Sequence, residues 1–394
     1  MKKIALVLAL ITGTTAFAQD RMDSKHGKGI VHAVAADSSF SVKFNIRMQQ
    51  LFTADADLDG DFQDGDISTN FFTRRARLKF GGFAFSPKIT YKMEIGLSNR
   101  DFGGANGFTN NADKMILDAV VKWNFYKNMS VWVGQTKLPG NRERVISSQN
   151  LQFVDRSQLN SRFNIDRDQG IQLHNHHSVN GMVIREAFAI SQGEGRNITS
   201  GNRNGFEYTG RVEFLPFGNF TSKGDYFGSD LKREKDHKLS IGVTYDFNNG
   251  AQNQRGNLGS SMSTPTDLST VFVDAMYKYN GWSVMTEFAH KSASDPAAYL
   301  TDTSAAIVTG YYYTGNGISA QVGYLFKNNI ELAGRVTMVN PEDVTGRANY
   351  NEYTLGVSRY ISGHNLKIQS DITLRQTEGG DDNLMFRLQV ELGL

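Results

Sequence analysis

Apolar and polar residues alternate with a period of two over segments of about ten residues, and this feature most constrains the fold. In the last segment every even-numbered residue from Leu384 to Leu394 is apolar, while Arg387, Gln389 and Glu391 stand between them. Side chains alternate between the two faces of a strand, and about ten tilted residues cross a bilayer. The pattern predicts an all-β, transmembrane, antiparallel, up-and-down β-barrel, since strands of soluble sandwiches are usually nearer five or six residues. The same alternation runs through residues 40–48, 88–97, 117–125 and 366–375.

The composition excludes a helical membrane protein. Hydrophobic residues make up 39% of the chain, the mean hydropathy is −0.40, and after the N-terminal region no apolar run approaches ~18 residues. A barrel tolerates this average because only alternate residues face lipid. The chain has no cysteine, so disulfides do not hold it together.

The N-terminus has the pattern of a secretory signal. Lys2 and Lys3 precede an apolar run at residues 4–11, and Ala16-Phe17-Ala18 is typical of a cleavage site. We therefore expect a signal peptide at 1–18, cleaved after Ala18, and export to the outer membrane of a Gram-negative bacterium. A mature N-terminal segment at 19–39 and a transmembrane barrel at 40–394 would follow.

Short and long connections alternate along the chain, as they do between the periplasmic turns and outer loops of bacterial barrels. Treating residues 303–326 as one long strand gives about sixteen strands and places both chain ends on the periplasmic side. The connection at 218–238 departs from the pattern, since it falls on the periplasmic side yet is long and charged.

Basic residues collect on the predicted inward faces of the first strands. Arg75, Arg77 and Lys79 share one face, whereas Arg74 falls on the apolar face, so we expect it near an interface or a bulge. The 42 Lys and Arg include Lys2 and Lys3, so residues 19–394 carry 40 basic and 40 acidic residues. Selectivity must then come from the placement of charges, although such charges also simply keep a lumen wet. The predicted basic wall is completed by Lys43, Arg47 and Lys92.

The connection at 139–166 is long, charged and on the predicted outer side. It either lies on the surface or folds inward as a constriction loop, and we expect the second. Arginine binds phosphate and carboxylate groups with two parallel hydrogen bonds, and rings of Arg and Lys are the usual device for passing anions. The acids of the loop would orient these groups or neutralise them. The candidate anion-binding residues here are Arg142, Arg144, Arg156, Arg162 and, directly after the loop, Arg167.

Several motifs resemble the phosphate-selective porins O and P, especially members of Bacteroidetes type. The resemblance implies a sixteen-stranded homotrimeric barrel with a basic, inward-folded third loop that passes phosphate-like anions. Two departures are Leu394, where such barrels often end in an aromatic residue, and Gly140, where an aromatic often follows the proline. The motifs are Gly27-Lys28-Gly29-Ile30, Arg74-Arg75-Ala76-Arg77-Leu78, Val133-Gly134-Gln135-Thr136-Lys137-Leu138-Pro139, Arg142-Glu143-Arg144, Phe153-Val154-Asp155-Arg156-Ser157, Asp166-Arg167-Asp168-Gln169-Gly170-Ile171-Gln172-Leu173, Gly224-Asp225-Tyr226 and Ser229-Asp230-Leu231.

The function favoured by the sequence is an outer-membrane porin for passive diffusion of small anions, with phosphate among them. The alternatives are a non-selective porin and a closed barrel with a structural or adhesive role. A barrel hydrolase is disfavoured because no serine lies in a nucleophile elbow and no Gly-rich phosphate loop occurs, so we expect no enzyme activity. The expected partners are outer-membrane lipid, small anions and two further copies of the chain, with no nucleic acid.

One acidic segment and one histidine-rich segment are candidate metal sites. Asp55, Asp57, Asp59 and Asp66 fall at positions 1, 3, 5 and 12 of a calcium loop, although position 12 is Asp and no helices flank it. A solvated acidic loop is the alternative, and Ca²⁺ is the one cofactor that the sequence suggests. His174, His176 and His177 lie close together, but the two adjacent histidines point to opposite faces of a strand, which favours a polar turn.

Overall fold

Sixteen antiparallel strands form a closed barrel in which each strand pairs with its two neighbours along the chain. The ring closes where the last strand pairs with the second, from Asn383 opposite Asp57 to Gly393 opposite Arg47. The computed structural model describes residues 29–58, 67–99, 101–102, 109, 113–199, 202, 205–300 and 307–394. The all-β barrel predicted from the alternation is confirmed.

The described residues form nineteen β-strands, numbered here in chain order. Those of the barrel are β2 to β12 and β15 to β19. The bounds are β1 Val31–Val34, β2 Ser41–Asp57, β3 Ile67–Ala84, β4 Ser86–Gly96, β5 Ile116–Tyr126, β6 Met129–Lys137, β7 Arg167–Val179, β8 Met182–Ser191, β9 Glu207–Leu215, β10 Lys238–Asn253, β11 Ser261–Tyr279, β12 Trp282–Ala293, β13 Ala297–Leu300, β14 Ile307–Tyr311, β15 Gly315–Leu325, β16 Ile330–Pro341, β17 Tyr350–Ser362, β18 Leu366–Thr377 and β19 Asn383–Gly393.

Within the described residues, helical structure occurs only in the connections between strands. Two short α-helices, α1 (Arg142–Val145) and α2 (Gln158–Phe163), lie between β6 and β7, and 3₁₀ turns occupy Thr221–Tyr226 and Asp343–Thr345. In the described part of the chain, no helix is both long enough and apolar enough to cross a bilayer.

The barrel is apolar outside and polar inside. In β19, Phe386, Leu388 and Val390 face outward and are 39–45% exposed, whereas Gln389 and Glu391 are at most 1% exposed. The same arrangement, which is the reverse of that in a soluble protein, holds around the ring. It arises because alternate side chains of each strand face opposite sides of the barrel wall.

The even strand count is confirmed, but the single strand predicted at 303–326 is wrong. β13 and β14 pair only with each other in a separate two-stranded sheet, and the barrel strand β15 begins at Gly315. Between them, Tyr312 leaves the strand direction because its ring is fully buried and its hydroxyl donates to the carbonyls of Ala251 and Thr264. The buried tyrosine ends the hairpin and redirects the chain into the wall.

Both ends of the barrel lie at the same rim. β1 pairs with residues 41–44 of β2, beyond the point where β19 ends, and the backbone N–H of Leu394 donates to the carbonyl of Ile46. The short turns lie at this rim, which identifies it as the periplasmic one.

The long periplasmic connection at 218–238 folds into the lumen, where Asp225, Ser229 and Asp230 are at most 1% exposed. Lys278 of β11 holds it by donating to the carbonyls of Gly224, Phe227 and Ser229 at 2.7–2.8 Å. Its length and charge therefore have a structural reason, since the segment pairs with the polar inner wall.

Candidate functional site: the lumen and its loop

The loop at 139–166 crosses the interior of the barrel. Its ends meet where the N–H of Leu138 donates to the carbonyl of Asp166 at 2.9 Å. Its side chains and backbone contact inward-facing residues on strands far apart in the ring. These contacts are Ser148 with Arg47 of β2, Asn141 with Glu287 of β12, Gln152 with Gln321 of β15 and Glu331 of β16, Arg162 with Tyr350 of β17, and Val154 with Asp371 of β18.

Apolar side chains of α2 fix one side of this loop. Leu159 and Phe163 are fully buried and pack with Phe272 of β11, Ala289 of β12 and Val339 of β16. This inward apolar patch is local, because most inward residues elsewhere are polar. Burying two such side chains contributes about 3–6 kcal/mol, so the loop is held by more than charge.

A buried ionic cluster fixes α1 to the opposite wall. Arg142, 1% exposed, donates to Asp274 at 2.7 Å and to Glu213 at 3.2 Å. Arg211 contacts the same two carboxylates at 2.6–3.1 Å. Two arginines thus share two acids, and a hydrogen bond from Arg142 to the hydroxyl of Ser240 at 2.8 Å completes the cluster.

A bulge in β3 turns two adjacent arginines inward. Gln49 of β2 pairs with Arg75 and Gln50 pairs with Thr73, so Arg74 is the extra residue. Arg74 and Arg75 both donate to Asp155 of the loop, at 2.8 and 3.1 Å. Although burial opposes it, the two guanidinium charges hold the pKa of Asp155 far below its ordinary value. The bulge, which the sequence predicted as one of two explanations for Arg74, also carries Phe72 to the inner face.

The space left in the lumen is a cavity of about 1800 Å³. Its described lining includes sixteen Lys or Arg and eight Asp or Glu. The basic members are Arg74, Arg75, Arg77, Lys79, Lys92, Lys122, Lys137, Arg144, Arg156, Arg167, Arg185, Lys223, Arg196, Arg211, Arg255 and Arg387.

Several of these cations are neutralised by neighbours. Arg77 pairs with Glu94 and Asp101 at 3.0 and 2.8 Å. Lys92 pairs with Asp118 at 2.7 Å. These contacts orient the cations and also cancel part of their field. Arg167 pairs with Asp118 and Asp166, and Arg144 pairs with Asp166.

Other cations in the cavity have no carboxylate within ion-pair distance among the described residues. Arg156 donates to the carbonyls of Glu143 and Ile146 at 2.7 and 2.6 Å, and burial together with the charge of Arg144 lowers its pKa to about 9. It is therefore protonated at neutral pH. Lys137 donates to three loop carbonyls at 2.6–3.1 Å, and Lys79 lines the cavity without a hydrogen-bond partner in the described chain.

Four of the predicted residues do not line this cavity. Arg142 binds the carboxylates of the buried ionic cluster. Arg47 pairs with Glu391 at 2.6 Å and also contacts Ser148 of the loop. Arg162 donates to the hydroxyl of Tyr350 at 3.0 Å. Lys43 is partly exposed near the periplasmic end of β2.

Sequence reasoning missed several basic residues of the cavity. Lys122 and Lys137 lie on the polar faces of β5 and β6, and Lys122 lies 3.3 Å above the ring of Trp132. The alternation of apolar and polar residues in these two strands could have identified both lysines as inward-facing. Arg211, Arg255 and Arg387 come from distant strands or loops, and only the closed ring brings them to the same space.

The structure describes only part of the candidate metal sites. Asp55 and Asp57 lie in strand β2, where both accept from the side-chain amide of Asn383, while Asp59 and Asp66 lie outside the described residues. His174 stacks on Trp132 with ring centroids 3.9 Å apart, and His177 lies beside Glu186 at 3.6 Å. In the part of the chain that the structure describes, no three His, Asp or Glu side chains are grouped to hold a metal ion.

The closed barrel with a polar, loop-filled lumen defines the class of protein: an outer-membrane channel of porin type. The family model of phosphate-selective porin O and P matches residues 44–380, and the chain belongs to this family. A family of channels, rather than of hydrolases, is consistent with the absence of a nucleophile elbow in the sequence.

The chain is also similar to other proteins, in sequence or in structure. An uncharacterized protein of Aquifex aeolicus (strain VF5) is 24% identical over 351 residues, which cover 83% of this chain and 80% of that protein. The anion-selective porin from Comamonas acidovorans matches with a TM-score of 0.54 at 11% identity, over 90% of this chain and 100% of that one. OmpT of Vibrio cholerae, an outer membrane protein in its trimer form, matches with a TM-score of 0.50 at 8% identity, over 90% and 99%. At such identities the structures show a shared fold.

Proposed function

We propose that the porin passes small anions in preference to cations. The observation that carries the proposal is the twofold excess of basic over acidic side chains lining the cavity. A water-filled lumen with low-dielectric walls focuses the field of fixed charges, so this excess raises the local concentration of anions and lowers that of cations. Residues 19–394 carry equal numbers of basic and acidic residues, so the preference would come from where the charges lie.

The same proposal extends to phosphate-like anions, as the family description suggests. Supporting it, Arg74, Arg75 and Arg156 line one cavity around Asp155, and guanidinium groups match the geometry of phosphate oxygens. Arg75, Arg77, Lys79 and Lys92 would form the selective wall with Arg144, Arg156 and Arg167 of the loop region. Lys43, Arg47, Arg142 and Arg162 would act on the anion only indirectly, by holding the loop or adding to the field.

We further propose cleavage after Ala18, an inward-folded constriction loop at 139–166, and assembly as a homotrimer. The loop contacts described above and the trimer form of OmpT support the last two. Mass spectrometry of the mature N-terminus and of the intact complex tests the first and third.

Liposome swelling with solutes of matched size tests the anion preference. A neutral hexose, its uronate and its amino sugar differ mainly in charge, so the uronate should enter fastest and the amino sugar slowest. Equal rates would indicate a non-selective pore, and fastest entry of the amino sugar would contradict the proposal. Phosphate should also reduce the chloride current at low concentration if oxyanions bind the guanidinium groups, whereas a general anion pore would show no such reduction.

A further inference from the structure

A row of aromatic rings lies on the outside of the barrel at its periplasmic rim. His237 stacks on Tyr279 with centroids 4.1 Å apart, and Tyr279 is the cross-strand partner of Trp282. The ring centroids of Trp282 and Tyr324 are 4.8 Å apart, and those of Tyr324 and Phe326 are 5.0 Å apart. Such girdles lie at the depth of lipid headgroups because the rings have an apolar body and a polar edge.

Three cations surround one end of this row. Arg233 donates to the carbonyls of Leu325 and Phe326, so a charged residue of the periplasmic connection lies beneath the rings. Arg359 belongs to the outward face of β17, between Val357 and Ile361, and its guanidinium reaches down to the carbonyl of Asn328. Lys327 is exposed in the same turn. We call these three cations, with Trp282, Tyr324 and Phe326, the rim patch.

The position of Arg359 points to a ligand in the membrane. An arginine on a lipid-facing row is costly in hydrocarbon, and its bent side chain keeps the charge at the headgroup level. Because the contacts of Arg233 and Arg359 are to neutral carbonyls, their charges are not cancelled there. Val357 and Ile361, which lie on either side of Arg359 on this face, are 48% and 53% exposed, which suits acyl chains beside the charged group.

We propose that the rim patch binds the headgroup of an anionic phospholipid in the periplasmic leaflet of the outer membrane. The phosphodiester would contact Arg359, Lys327 and Arg233, while the acyl chains lie along the apolar face of β16 and β17. A lipid fits better than a soluble polyanion such as peptidoglycan, because the cations border exposed apolar side chains and aromatic rings. The site lies outside the lumen and is independent of the solute that the pore passes.

Native mass spectrometry of the full-length protein, purified in detergent and supplemented with lipid, tests the proposal. Phosphatidylglycerol should remain bound, whereas phosphatidylcholine with the same chains should not. The double variant Arg359→Gln with Lys327→Gln should weaken retention of phosphatidylglycerol by roughly twenty-five-fold, since each cation near a lipid surface contributes about fivefold. The matched control is Lys127→Gln, which removes an exposed rim cation beside a single ring, that of Tyr126, and should leave retention unchanged.

Three outcomes would overturn the proposal: equal retention of both lipids, equal loss in the control and the double variant, or binding of soluble peptidoglycan fragments instead of lipid. The comparison of the two lipids uses the unmodified protein, so the test stands even if the double variant does not fold.

Discussion

Replacing Arg142 by alanine should release the first half of the loop from the barrel wall. Arg142 is buried and contacts Asp274, Glu213 and Ser240. Removing one partner of a buried ion pair typically costs about 3–5 kcal/mol. Arg211 still contacts both acids after the change, so the lower value, about 3 kcal/mol, applies here. At 1.4 kcal/mol for each factor of ten, the population of released loop rises about a hundredfold.

Single-channel recording measures this release. The Arg142→Ala channel should show more open-channel noise and a larger conductance, because the loop at 139–166 fills part of the lumen. Arg162→Ala is the matched control, since Arg162 lies on the same loop but makes one hydrogen bond, to the hydroxyl of Tyr350, worth about 1 kcal/mol. Its current should resemble that of the unmodified channel. A folded Arg142→Ala barrel with unchanged conductance and noise would refute the reasoning.

Three further predictions follow from the charged residues. Arg156→Gln should lower the anion-to-cation permeability ratio by at least about threefold, as one charge does at about 7 Å through water, while Lys127→Gln at the rim should leave the ratio unchanged. Burial raises the pKa of Glu194 in the outer loop to about 7, so the folded barrel gains stability from this group below pH 4.5 and loses it as the pH rises to 7. Glu194→Gln should therefore raise the melting temperature at pH 8 but not at pH 4, and equal shifts at both would contradict this. If Asp55, Asp57, Asp59 and Asp66 bind calcium, millimolar calcium should raise the melting temperature and protect the loop from protease, and no change in either would exclude the site.

The sequence predicts the strands of the barrel wall better than the loop and the ion pairs inside the lumen. In β19 every second residue from Leu384 to Leu392 is apolar, and Phe386, Leu388 and Val390 of this row face outward in the structure, because lipid on one side and water on the other favour alternation. The bulge at Arg74 was one of two explanations that the sequence offered, since a cation on an apolar row lies either near an interface or at a local change of register.

The sequence identifies the basic residues of the lumen, but it does not predict which acidic residues they pair with. The sequence predicts that Arg142 binds anions, yet its guanidinium donates to Glu213 and Asp274, which lie 71 and 132 residues away along the chain. Such pairs depend on how the loop crosses the closed ring, which local pattern does not determine. The strand predicted at 303–326 was wrong for a similar reason, because Tyr312 packs in one buried cluster with Ala251 of β10 and Leu268 of β11.

The central claim is that an excess of positive charge in the lumen makes the pore prefer anions, and a reversal potential tests it most directly. Unmodified protein in a planar bilayer between 0.1 M and 0.01 M KCl should give a reversal potential of the sign set by chloride, because the Debye length is then about 10–30 Å and the lumen charges act across the pore. The value should shrink near 1 M salt, where that length falls to about 3 Å. A reversal potential of the sign set by potassium in dilute salt would contradict the account.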